Sequence, residues 1–258
     1  MKVDACYLKP SHGLPMLEQA SLNCRAGFGI VGAVNPHAHS PRQVLVVDSE
    51  IYRDFNLRAT ALRENLLVRG LDLKKLVSGQ VLAIGNEVLL RITIPCEPCV
   101  KLNRERKNLC KEIFENRGIL ARVIRSGKVQ RAARIKIVDA NLPRLPDRMQ
   151  DRIYELLKKV PAGKVITYNQ ITLFTGVHRS SVRMIPRLIR SSPLNLPVHR
   201  IVSTNCGLIL SHIPNQRQLL SEECVEITER GFVVSECLWN DNPFTSDEEN
   251  FLDTKLRY

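Results

Sequence analysis

Apolar residues along this chain follow two rhythms. Through the first 140 positions they come in short runs separated by turn residues. Gln43-Val44-Leu45-Val46-Val47 is one such run, and bounded runs of this kind read as buried strands. Val81 to Ile84 and Val88 to Ile94 are two more, joined by Gly85-Asn86-Glu87, a hairpin signal. Ile119 to Ile124 and Val129 to Val138 flank Ser126-Gly127-Lys128, a second hairpin signal. Helical spacing in this half is confined to Asp54 to Glu64 and Lys107 to Asn116. Many short strands with turns between them predict a β-barrel over residues 1–140.

Beyond residue 140 the spacing becomes helical. Asn141-Leu142-Pro143-Arg144-Leu145-Pro146 is the boundary, because proline breaks both helix and ladder. Asp147 can cap a helix running to about Lys159, with Met149, Ile153, Leu156, Leu157 and Val160 on its apolar face. Thr167 can cap the next helix, Tyr168 to Thr175, which Gly176 ends. Ser180 or Ser181 starts a third, carrying Arg183, Arg187 and Arg190 along one face. Pro186 lies past its first turn and predicts a kink or a late start. Two short helices, the second basic, predict a helix-turn-helix reader. The predicted class is α+β in two domains: a barrel over 1–140, a linker over 141–146, and a mostly helical, winged-helix-like domain over 147–240. Trp239 should close the second core, and residues 241–258 read as a solvated acidic tail.

Composition sharpens this outline. Aromatic residues are 5% of the chain, so aliphatic side chains must fill the cores. The formal charge is +12, which points to a polyanionic partner. Residues 141–217 hold 12 basic and 3 acidic residues, whereas residues 218–258 hold 3 basic and 10 acidic. The basic excess of the C-terminal half therefore falls on the predicted reader. No apolar run approaches a membrane span, and the first residues lack the apolar core of a signal peptide. The expected location is the cytoplasm, nucleoid-associated if the source is bacterial. Eight cysteines in such a chain are expected to be reduced thiols.

The segment from about Asp147 to Trp239 resembles the DNA-binding domain of alkylguanine-DNA alkyltransferases. That family carries V-P-x-G-x-V-T-T-Y-G-x-I-A, A-x-R-x-V-G, P-C-H-R-V and L-L-x-x-E-G. Here the corresponding stretches read VPAGKVITYNQIT, SSVRMIP, PVHRIV and LLSEEC. The resemblance implies that Arg183 fills the gap left by a base flipped from the stack, and that Tyr168 pushes on the neighbouring phosphate. It implies docking in the minor groove, where sequence is weakly read. It also places Arg187, Arg190, Val198, His199, Arg200 and Glu223 at the DNA site. The family's acceptor cysteine is replaced by Val198, which offers no nucleophile for alkyl transfer. The chain is in this respect similar to alkyltransferase-like proteins, which bind such lesions without repairing them. Cys224, in place of the glycine after the family's glutamate, is read as packing.

The first half resembles a MOSC domain, the module that ends molybdenum cofactor sulfurases. The carriers are Glu64-Asn65-Leu66-Leu67-Val68-Arg69-Gly70-Leu71-Asp72-Leu73 and the later Pro98-Cys99. The resemblance implies a barrel whose Cys99 carries sulfur or ligates the metal of a molybdenum cofactor. Some members reduce N-hydroxylated compounds. Arg42, Arg63, Asn65 and Cys99 are the candidate cofactor contacts, with Lys101 a further cation beside the thiol. Two Gly-Asp pairs usual in the family are missing here, at Gly32-Ala33 and over Val129 to Ala133. Cys96-x-x-Cys99 also fits half of a zinc site with His37 and His39, a redox dithiol, or two buried packing thiols.

Two functions stand side by side on this reading. One is non-catalytic recognition of double-stranded DNA with alkylated guanine, signalling to repair proteins. The other is a molybdenum-dependent reductase of N-hydroxylated substrates or bases.

Overall fold

The short apolar runs of the first half become strands: β1 (Lys2–Leu8), β2 (Leu17–Gln19), β3 (Ser21–Arg25), β4 (Gly29–Ile30), β5 (Val44–Asp48), β6 (Leu66–Arg69), β7 (Gln80–Ile84), β8 (Val88–Pro95), β9 (Ile119–Arg125), β10 (Gly127–Gln130) and β11 (Ile135–Asn141). They belong to a computed structural model that describes residues 1–34 and 37–255. Its contacts divide the chain into two units, Met1–Leu145 with Phe244–Tyr258, and Pro146–Pro243.

In the first unit eight strands form one curled sheet in the order β11-β7-β8-β9-β5-β6-β1-β2, and β10-β3-β4 form a second. Lys2 bridges Arg134, and the Ile135 amide donates to the Met1 carbonyl at 3.0 Å. These contacts bring the start of β1 toward β11, so that the sheet curls into a half-barrel. Its interior is aliphatic, as the low aromatic content requires: Val46, Leu82, Leu90, Ile92 and Val123 are all buried there.

Local chemistry explains where the strands and helices depart from expectation. Gly85 does turn β7 into β8, with Ile84 opposite Val88. The chain also turns at Ser126, but β10 pairs with β3 and not with β9. The predicted strand over 129–138 breaks between β10 and β11, where Ala132 takes a φ of 66°. The helix predicted from Asp54 lies earlier, as α1 (Ser49–Asp54), capped by the Asp48 side chain on the Glu50 amide. Left-handed backbone at Asn56, Thr60 and Arg63 prevents its extension. Only α2 (Leu109–Glu112) survives of the second predicted helix.

The second unit contains α3 (Met149–Lys159), β12 (Ile166–Thr167), α4 (Tyr168–Thr175), α5 (Ile185–Arg190), β13 (Ile201–Val202) and α6 (Gln216–Glu222). Asp147 does not cap α3. Arg148 occupies that position without a side-chain cap, and Arg152 gathers the Pro146, Asp147 and Thr175 carbonyls instead. Thr167 and Gln170 form a reciprocal capping box on α4, and Gly176 ends it at a φ of 70°. Trp239 is buried and meets Phe174 edge to face, with ring centroids 5.8 Å apart. The core of this unit joins Ile153, Leu156, Leu157, Ile171, Ile185 and Ile201.

The end of the chain is not a solvated tail. α7 (Thr245–Lys255) belongs to the first unit, where Phe251 is buried against Val81, Leu89, Ile124 and Leu142. Glu248 takes Arg122 in a two-point ion pair, Nε–Oε1 2.7 Å and Nη2–Oε2 3.0 Å, and Arg91 Nη1 approaches the same carboxylate at 3.3 Å. The last three residues of the predicted tail lie outside the described range. No helix among the described residues is long and apolar enough to cross a membrane.

Candidate nucleic-acid interface and sulfur site

The candidate DNA-binding site is built on a turn, Val198–Arg200, that follows Pro197. Val198 is half-buried against the helical core. The turn is held from below by Glu223 at the end of α6. Arg200 donates to it through Nε, at 3.0 and 2.9 Å from the two carboxylate oxygens, and through Nη2 at 2.6 Å. His199 Nε2 lies 2.9 Å from Oε1, and the Gly163 amide donates to Oε2 at 3.2 Å. Arg200 Nη1 reaches back to the Val160 carbonyl at 2.6 Å. Burial alone would raise the Glu223 pKa, but the bonds from Arg200, His199 and Gly163 outweigh it and bring it down to about 2. Buried Gln216 completes the frame, donating to the His199 and Ile201 carbonyls and accepting from the Ile209 amide.

This arrangement ties together three of the residues expected at the DNA site. Arg200, His199 and Glu223 were placed at the DNA; their side chains are tied to one another, and Arg200 spends its donors inside the unit. Sequence spacing could not reveal it, because Glu223 is 23 residues from Arg200.

The arginines behave otherwise. Arg183, Arg187 and Arg190 are all exposed. They do not share one α-helix. Arg183 stands on a 3-10 turn, Arg179–Met184, and α5 starts only at Ile185, with Pro186 in its first turn. Proline is favoured there because the amide it lacks has no helical partner. Tyr168 opens α4 with its ring buried, and burial raises its pKa.

In the first unit Cys99 is half-buried at the start of a 3-10 turn, Val100–Arg104. Arg63 and Lys101 form a cationic group with Lys9, whose pKa is lowered by burial and then by those two neighbours. Lys9 was not anticipated, since it lies on the far side of the sequence from the Pro-Cys pair. Arg42 Nη2 lies 3.9 Å from Cys96 Sγ. Asn65 is committed to the fold, accepting from the Leu45 amide and donating to the Tyr7 carbonyl. Beside it Glu64 is fully buried, accepts from the Tyr52 hydroxyl and leaves Oε1 without a partner. Burial pushes the Glu64 carboxyl up. His37 accepts from the His39 amide at 3.3 Å. No group of three or more His, Cys, Asp or Glu residues suited to a metal occurs among the described residues, so the zinc alternative finds no ligand set there. All eight cysteines are free thiols.

Comparison with known proteins bears on both units. Residues 35–136 match the family described as MOSC domain, and residues 148–225 match 6-O-methylguanine DNA methyltransferase, DNA binding domain. Among solved structures, the YuaD protein of Bacillus subtilis is 18% identical with a TM-score of 0.46, over 53% of this chain and 94% of its own. YiiM from Escherichia coli is 19% identical with a TM-score of 0.44, over 74% and 94%. S. pombe Atl1, solved in complex with damaged DNA containing O6-carboxymethylguanine, is 24% identical with a TM-score of 0.32, over 36% and 95%. Comparison with curated protein sequences returns no match. The two family matches fall one within each unit, and the chain joins a MOSC domain to an alkyltransferase-type DNA-binding domain.

Proposed function

We propose that the second unit binds duplex DNA carrying guanine alkylated at its exocyclic oxygen, flips that base and transfers nothing. The observation that carries this reading is Val198 on a turn fixed by the Arg200–Glu223 pair, where the family motif has its cysteine. An aliphatic side chain there can line a base pocket but cannot accept an alkyl group. Arg183, exposed on the 3-10 turn, is the residue that would occupy the vacated stack. Extrusion costs a few kcal/mol of stacking, and an inserted guanidinium recovers part of it. Arg187 and Arg190 would neutralise phosphates, and Tyr168 would stand at the phosphate beside the flipped nucleotide. Retention of the lesion on the protein would then mark it for repair proteins. A fluorescent base analogue beside an alkylated guanine should brighten on binding, because its neighbour leaves the stack. The same mixture should show no mass gain on the protein. A silent analogue, or an alkylated protein, contradicts the reading.

A second reading concerns the first unit, and the cationic group of Lys9, Arg63 and Lys101 favours it. A cationic group that includes Lys101, two residues from the partly exposed Cys99, suits an anionic, soft-metal cofactor or an anionic sulfur species. If a molybdenum cofactor binds, Cys99 would ligate its metal and the three cations its anionic part. The cofactor would supply two-electron reduction of N-hydroxylated substrates. Alternatively Cys99 carries sulfur as a persulfide. Metal analysis of the purified chain separates them: molybdenum that disappears in Cys99→Ala supports the cofactor, and its absence from wild type removes that branch.

A further inference from the structure

Arg117 is 8% exposed, and no carboxylate among the described residues lies within ion-pair reach of it. Its Nη1 donates to Cys96 Sγ at 3.0 Å and to the Glu97 carbonyl at 2.8 Å. Its Nε is buried without a partner. A guanidinium buried without a counter-charge is strongly unfavourable, so such a group implies an anion at its open side. The atom it faces is a sulfur. Cys96 is 5% exposed and shares an apolar cluster with the half-buried Cys99 and Cys110. Arg42 adds a longer approach to the same sulfur, 3.9 Å.

The backbone beside Cys96 and Arg117 is constrained. The Cys96 amide donates to the Gly118 carbonyl at 3.0 Å. Gly118 has a φ of 99°, and a Cβ there would strike the Val46 carbonyl oxygen. Sulfur and guanidinium are therefore fixed against β5 by a residue that must be glycine. A guanidinium so placed offers N–H donors to an anionic sulfur. Packing alone does not explain it, since a buried packing thiol needs no cation.

We propose that Cys96 and Arg117 form a second sulfur site, which accepts sulfane sulfur from a persulfide on Cys99 and shields it from solvent. The inference rests on the reading of Cys99 as a sulfur carrier. In the step, the Cys96 sulfur attacks the outer sulfur of the Cys99 persulfide. A new S–S bond forms at Cys96, and the S–S bond at Cys99 breaks with its electron pair left on the Cys99 sulfur. The Cys96 proton passes to Cys99, and no net oxidation or reduction occurs. The persulfide now on Cys96 presents its anionic terminal sulfur to the Arg117 guanidinium.

The test loads the full-length chain with inorganic polysulfide and maps the added sulfur on each cysteine by peptide mass spectrometry. The expected result is sulfur on Cys96 in wild type, lost from Cys96 in Cys99→Ser and in Arg117→Met, and retained on Cys99 in Cys96→Ser. Circular dichroism checks that each variant is folded, and Arg117→Lys, which keeps the charge, should restore part of the loading if Met unfolds the site. Sulfur confined to Cys99 in wild type overturns the second site and leaves the carrier reading standing. Equal loading of Cys96 in Cys99→Ser overturns the relay. Sulfur on neither residue removes both.

Discussion

One carboxylate, Glu223, holds the reading turn of the second unit through bonds from Arg200, His199 and Gly163. Its pKa stands below the ordinary 4.5, at about 2. A group depressed on folding stabilises above its unfolded pKa, and that contribution is lost as pH falls through the folded value. The chain's one tryptophan, Trp239, sits in this unit, so its fluorescence reports unfolding there. The urea midpoint by Trp239 fluorescence should hold from pH 7 to about pH 4.5 and then fall toward about pH 2. Glu223→Gln should lose about 2 kcal/mol at neutral pH and flatten this acid limb. An unchanged limb would mean that another carboxylate governs it. The neighbouring Cys224 does not pack as expected: it is exposed with a φ of 59°. Glycine adopts that backbone without side-chain strain, so Cys224→Gly should add up to about 1 kcal/mol of stability and raise the same midpoint. At this scale the sequence made local relations legible, such as Thr167 with Gln170, because capping is a matter of three-residue spacing. It hid Arg200 with Glu223, Lys9 with Arg63, and Arg117 with Cys96, because these pairs meet only through the fold.

Elements show the same division. α4 was readable because its cap, its stop and its apolar face all lie within its own segment. α5 starts late, one of the two outcomes that Pro186 predicted, since proline permits a helix only from its own first turn and leaves Arg183 on the 3-10 turn before it. That displacement separates two roles among exposed arginines. Arg187→Ala and Arg190→Ala should each lower the salt slope of DNA binding by about 1 and weaken all duplexes alike. Arg183→Ala should instead abolish the preference for alkylated over unmodified duplex, as read by competition binding. If the preference survives, the residue does not fill the stack. α7 was hidden by its acidic composition, which reads as a solvated tail. Its Glu248 answers two arginines, Arg91 and Arg122, that are 1% and 0% exposed on adjacent strands of the sheet. Removing one partner of a buried pair costs about 3–5 kcal/mol. Glu248→Gln should therefore cost the first unit stability of that order and lower its urea midpoint, followed by far-UV circular dichroism. A midpoint equal to wild type would return this segment to the status of a tail.

At the scale of the whole chain, the first unit is interrupted. The chain leaves it at Leu145 and returns at Phe244, with the DNA-binding unit between. The change from strand to helix spacing near the paired prolines made the first crossing legible. The second was not, because nothing in the run Asn240-Asp241-Asn242-Pro243 distinguishes a tail from a return. Basic charge is concentrated over residues 141–217, which hold 12 basic and 3 acidic residues. A basic surface binds any duplex, whereas a flipping site discriminates between lesion and undamaged base. The measurement that separates them is fluorescence anisotropy of the full chain with a duplex bearing one alkylated guanine and with its unmodified twin, across a range of salt. The expected result is a lesion preference that persists as salt weakens both. Affinities that are equal and fall together with salt would contradict it and leave only a cationic surface.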